Sequence, residues 1–204
     1  MPCYSSMSAC LRHTLLALLL ACTASPRLAM AASPLPEGVL DQSYVLPDGG
    51  RVLQLSAEID APVAQAWAAF ATEQGFTAWA VALAKIDLRV GGSIESSYDA
   101  KVPLGSGKTI RNQLDAVVPE RLLVMHNVQA PPGVPFDVGI FQSTQTALWF
   151  EPLGAQRARL TPVNGPFMPG PAYDGVLGFF RAGNAYTLDA LRKHLKPTAP
   201  AGAR

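Results

Sequence analysis

From Arg51 onward the hydrophobic positions change period several times, and each change predicts an element. Leu53, Leu55, Ala57 and Ile59 alternate with their neighbours, the signature of a half-buried strand. Behind Asp60-Ala61-Pro62 the period becomes helical, with Val63, Ala66, Trp67 and Phe70 on one side. Asp60 is a candidate N-cap, and the proline follows where its missing N–H is harmless. After Gly75 a second short helix, begun near Thr72, carries Phe76 and Trp79. Alternation then predicts strands over 85–90, 93–99, 109–118, 121–128, 143–151 and 156–163. Gly91-Gly92, a loop with Pro103 and Gly105 to Gly107, Pro119-Glu120, a Pro-rich loop over 129–141 and Pro152-Leu153-Gly154 join them. A last helix, about 172–195, places Val176, Leu177, Phe180, Leu188, Leu191 and Leu195 on one stripe.

The chain before Arg51 reads differently. Residues 1–31 have the layout of a secretory signal peptide: a short basic start at Arg12, the apolar run Leu15 to Ala21, and the small pair Ala29 and Ala31 that a signal peptidase reads. A membrane span needs about 20 apolar residues, and this run is broken by Thr23, Ser25, Pro26 and Arg27. Cleavage after Ala31 implies a periplasmic or secreted protein. The alternative is Leu19-Leu20-Ala21-Cys22 as a lipoprotein box, which would tie the chain to a membrane through Cys22. Residues 32–50 read as a Pro/Gly-rich tether with a turn at Pro47-Asp48-Gly49-Gly50, residues 51–196 as one domain, and 197–204 as a disordered tail.

Export changes the chemistry on offer. Cys3, Cys10 and Cys22 all lie in the leader, so a chain beginning at Ala32 carries no disulfide framework and no thiol nucleophile, and His126 and His194 are too few for a metal site. Loss of Arg12 and Arg27 turns 16 basic against 15 acidic side chains into 14 against 15. That balance argues against a nucleic-acid partner, which asks for a basic patch.

Four motifs in order then carry a resemblance. Ala61-Pro62 followed after four intervening residues by Trp67, the later Trp79, Asp87 to Gly92, and Pro119-Glu120-Arg121-Leu122 resemble those of the START-like (SRPBCC) superfamily, in the branch of the activator of the 90-kDa heat-shock protein ATPase. The C-terminal match is partial, because Gly183 is followed by Asn184 while Leu188 and Leu191 fall in place. The resemblance spans about residues 52–195. It implies an α+β helix-grip fold, a curved antiparallel sheet of about six to seven strands gripping the long last helix, with two short helices after the first strand.

Such a fold encloses space, and pockets of this kind are mostly apolar with a few placed polar groups. Strand parity puts Ile94, Ser96 and Tyr98 on one face, and Ile110, Asn112, Leu114 and Ala116 on one face. Tyr98 and Asn112 are therefore the inward polar candidates, and Phe76, Trp79, Phe179 and Phe180 the aromatic ones. Gly178 and Gly183 flank Phe179-Phe180, and glycine inside a helix costs about 1 kcal/mol against alanine, so a kink or close contact with the sheet is expected there. Each of these residues also has a plain structural reading, as core aromatic or satisfied polar group. Asp87 and Arg89 read as an exposed cross-strand pair worth little.

Two signals are set aside. Gly105-Ser106-Gly107-Lys108-Thr109 resembles the end of a phosphate loop but lacks the earlier glycine, having Val102 instead. His126 is a weak candidate general base without a partner evident in the sequence, and His194 suits a helix C-terminus. Three functions follow: a carrier or sensor of an apolar small molecule such as a lipid fragment, isoprenoid or aromatic metabolite; a cavity enzyme of cyclase or dehydratase type; or a protein-interaction module like the chaperone activators. No cofactor or metal is implied, and oligomeric state is left open.

Overall fold

The computed structural model describes residues 34–197; the leader, its lipoprotein alternative and the end of the tail lie outside the described residues. Nine strands and four helices follow in the order β1 (Val39–Asp41), β2 (Tyr44–Val45), β3 (Arg51–Ile59), α1 (Val63–Ala71), α2 (Glu73–Thr77), β4 (Leu83–Ile86), β5 (Ser93–Ser97), β6 (Ile110–Val118), β7 (Leu122–Gln129), α3 (Val138–Ser143), β8 (Gln145–Gly154), β9 (Arg157–Phe167) and α4 (Pro171–His194). One antiparallel sheet runs β1-β3-β9-β8-β7-β6-β5-β4, with β2 also pairing β3. It is the expected helix-grip arrangement with more strands than predicted. The extra two come from the segment read as a tether: Val39–Asp41 and Tyr44–Val45 both pair antiparallel with β3. The turn at Asp48 to Gly50 is present, with the Asp48 carboxylate accepting from the Gly50 N–H at 2.9 Å.

The core lies between the sheet and the helices. Leu53, Leu55, Ala57 and Ile59 of β3 are all buried, as their alternation requires. Trp67 packs α1 on the sheet, edge-on to Phe150 of β8 at 5.2 Å. Val176, Leu188 and Leu191 of α4 are fully buried, each removing about 1.5–3 kcal/mol of apolar surface from water. That burial, with Pro171 in the first turn and Arg192, Lys193 and His194 in the last, holds α4 in one 24-residue stretch.

Several local expectations are corrected. Pro62, not Asp60, sits at the N-cap of α1, and no side chain caps that end. The strand expected over 85–90 stops at Ile86, so Asp87 and Arg89 pair within a loop, at 2.9 Å, rather than across strands. Gly91 turns that loop with φ +76°, and Gly92 passes so close to the Asp87 carbonyl that a Cβ would lie 2.1 Å from it. The 129–141 loop contains the start of α3, capped by Asp137, whose carboxylate accepts from the Ile140 N–H at 2.8 Å. In β6 the register slips between Leu114 and Ala116. This bulge at Asp115 flips the strand's parity, so that Val117, not Ala116, packs against the core.

Candidate functional site

A cavity of about 220 Å³ lies between the sheet and α4. Its sheet wall comes from β5 to β8, through Ser96, Ile110, Asn112, Met125, Asn127 and Thr146. Its helix wall is one face of α4, where Phe179, Phe180, Gly183, Asn184 and Thr187 recur at helical spacing. Phe76 of α2 and Phe141 of α3 contribute at its sides. The predicted Phe76, Tyr98, Asn112, Phe179 and Phe180 are thus brought together around one space.

Trp79 is not among the residues that line it. Its indole Nε1–H donates to the Ala69 carbonyl at 3.1 Å, and its ring packs edge-on to Phe70 and stacks on the His194 imidazole. Trp79 therefore ties α2 to the end of α1 and to the last turn of α4. The aromatic side of the cavity belongs instead to a cluster in which Phe136 meets Phe179 at 4.4 Å and Phe141 stacks on Phe180 at 5.4 Å. The Pro-rich loop and α3 supply half of it.

Tyr98 lies just beyond the end of β5. The residue is 73% exposed, and partial loss of surrounding water, and then the neighbouring Tyr186 phenol, raise its pKa above the ordinary tyrosine value. Its exposure and its place in the cavity lining put the side chain at the mouth of the cleft. Tyr98 also borders a smaller space of about 170 Å³ under the 99–109 loop, which shares Ser96 and Ile110 with the main cavity.

His126 belongs to the β7 wall, but strand alternation turns its ring away from the face that carries Met125 and Asn127. It stands on the outer face beside Gln113, its register partner. There it meets a carboxylate that sequence parity does not reveal: Nδ1 lies 2.8 and 3.0 Å from the two oxygens of Asp115, the residue at the β6 bulge. The arrangement fixes the ring through an Nδ1–H donated to the carboxylate.

The polar part of the cavity is richer than the sequence reading held. Asn184 donates to Asn164 Oδ1, and Asn164 donates to Thr146 Oγ1 at 2.8 Å. Asn127 donates to Asn112 Oδ1 at 3.1 Å and to the Gln129 carbonyl at 2.9 Å. Its Oδ1 is buried without a partner among the described residues. Asn127 shares the parity of Leu123 and Met125, so alternation along β7 was the signal that could have found it. The α4 glycines also read differently. The helix shows no interruption, and a Cβ at Gly175, Gly178 or Gly183 would meet nothing within 4 Å. These positions border open space rather than a close contact.

A long helix held by a curved antiparallel sheet, with space between them, defines a helix-grip domain of the START-like class. The family described as Activator of Hsp90 ATPase homolog 1-like protein matches residues 60–196, more than half of the chain, and the chain belongs to that family. Solved structures share the fold. CalU16 from Micromonospora echinospora superposes with a TM-score of 0.55 at 20% identity, covering 84% of this chain and 80% of its own. The Aha1 dimer from Colwellia psychrerythraea gives 0.51 at 13% identity, covering 69% and 96%. An HSP90 activator from Plasmodium falciparum gives 0.50 at 17% identity, covering 70% and 91%. No match was found among curated protein sequences.

Proposed function

We propose that this protein is an exported small-molecule binder, a carrier or sensor that holds an apolar ligand between the sheet and α4. The observation that supports this most is the cavity of about 220 Å³ bordered by Phe76, Phe141, Phe179 and Phe180. Ligand pockets commonly run to about 300–1,000 Å³, so this one suits a small ring compound or the end of a longer molecule reaching past Tyr98. Apolar burial at about 25 cal/mol per Å² supplies the affinity. An enzymatic reading has less behind it, because the candidate base His126 holds Asp115 on the outer face. The family description favours a second reading, interaction with a protein partner.

The test is native mass spectrometry of the protein purified from its exported compartment, followed by denaturing extraction. A stoichiometric apolar small molecule supports the carrier reading. A protein that stays empty after exposure to lipid and aromatic extracts, yet captures one protein partner, overturns it. The same spectrum tests export: a chain beginning at Ala32 marks signal-peptide cleavage, whereas a lipidated Cys22 marks the anchored alternative.

A further inference from the structure

The cavity wall contains no Asp, Glu, Lys or Arg among the described residues, and its histidine, His126, is already paired with Asp115, yet the wall is far from uniformly apolar. Asn112, Asn127, Thr146, Asn184 and Thr187 form a polar end opposite the phenylalanines. Asn127 and its neighbour Asn164 are buried while Asn112 and Asn184 are half-buried, and buried asparagines are uncommon because an apolar side chain of similar volume avoids the desolvation cost. Here they are organised. The chain from Asn184 through Asn164 to Thr146 fixes which way the Asn184 amide points, since one N–H of its Nδ2 is given to Asn164, leaving the second N–H as a donor and Oδ1 as an acceptor. Asn112 is oriented likewise: its Oδ1 takes the Asn127 amide, which leaves its Nδ2 as a donor. Asn127 keeps a buried Oδ1 with no partner among the described residues, and a native group left in that state calls for an explanation.

Resting on the ligand-binding reading above, we propose that the ligand is an uncharged ring compound whose polar edge both donates and accepts hydrogen bonds, as a carboxamide does. Its ring lies among Phe141, Phe179 and Phe180, and its polar edge meets Asn112 and Asn184. A carboxylate or ammonium would enter this site with no free counter-charge, since His126 is engaged by Asp115, and would lose hydration, so charged ligands are disfavoured. A plain hydrocarbon leaves oriented amides dry and unpaired, which disfavours it in turn.

A matched series separates these cases: 2-naphthamide, 2-naphthoate and naphthalene, titrated into the purified protein at neutral pH by calorimetry, with side-chain amide NMR to locate the site. The expected order places 2-naphthamide about tenfold tighter than naphthalene, with 2-naphthoate weakest and the Asn184 amide resonance shifted. Asn184→Leu, and the milder Thr187→Val, should lower the ratio of 2-naphthamide affinity to naphthalene affinity. Naphthoate or naphthalene binding in the cavity as tightly as the amide overturns the polarity proposal and leaves the carrier reading standing. Failure of all three to bind, with no shifts at Asn184 or Phe180, overturns both.

Discussion

The two ends of the sheet–helix sandwich are made from the same sheet and the same helix, yet they are packed to opposite effect. At the β3–β9 end, Leu188 and Leu191 of α4 and Leu55, Ile59 and Leu160 of the sheet are all completely buried. At the β5–β8 end, α4 presents Gly183, Asn184 and Thr187 to open space, and the sheet answers with Asn112, Asn127 and Thr146. Close packing gives stability and a unique arrangement, whereas a polar, unfilled end gives up some of both. The difference teaches that one end anchors the helix so that the other can remain hollow.

The contrast can be tested hardest at the anchor. Leu188→Ala should lower stability by about 2–5 kcal/mol in chemical denaturation, the range for emptying a close-packed site. Met125→Ala, on the cavity wall, should fall at or below the lower end of that range, because space already adjoins it. Equal losses would mean that the two ends are packed alike.

Gly183→Ala should act in the opposite direction and more weakly. A Cβ there meets nothing, so helix propensity alone predicts a gain of about 1 kcal/mol in the same denaturation experiment. Ligand affinity should fall as the new methyl takes up room. A loss of stability would show that the helix face is occupied.

The smallest effect concerns the loop beside Tyr98. Glu95 accepts from the Thr109 hydroxyl at 2.6 Å and from the Gly105 N–H at 2.6 Å. The Thr109 bond first, and the Gly105 bond next, hold its pKa below the ordinary 4.5. A lowered carboxyl pKa contributes stability that is present above the ordinary value and lost as pH falls through the folded one. Amide exchange at Gly105 should therefore quicken, relative to its intrinsic rate, as pH drops below about 4.5, and Glu95→Gln should flatten that acid limb. An unchanged limb in the variant would assign the acid response to other carboxyl groups.

Legibility in the sequence followed the same division. The anchored end was written in periodicity: β3 shows its buried face by strict alternation, and α4 shows its stripe through Val176, Leu188 and Leu191. The hollow end was harder to read. Parity failed at Asp115 because a bulge depends on how two strands meet, and neither strand announces it alone. The Asp115–His126 pair was hidden for the same reason. Asn164 and Asn184 meet across the cleft from positions 20 residues apart in the chain, beyond the reach of any local pattern. Glycines in α4 looked like close contacts because sequence gives the cost of a glycine without the reason for it. Helix spacing puts Trp79 with Phe76 on the cavity side, but its indole N–H reaches the end of α1 instead.

The strand order has a consequence for how this chain is made. β3 begins at Arg51, yet its neighbour on one side is β9, which ends at Phe167, and its helix cover is α4. The hairpins from β4 to β8 close over short distances, while the anchored end joins residues more than a hundred positions apart. Long-range pairing of this kind is slow and comes late, so β3 cannot pair with β9 until the chain has been made through Phe167. A nascent chain of this topology carries β3 without its neighbour while β4 to β8 are made, its half-made sheet waiting for the strand that completes it.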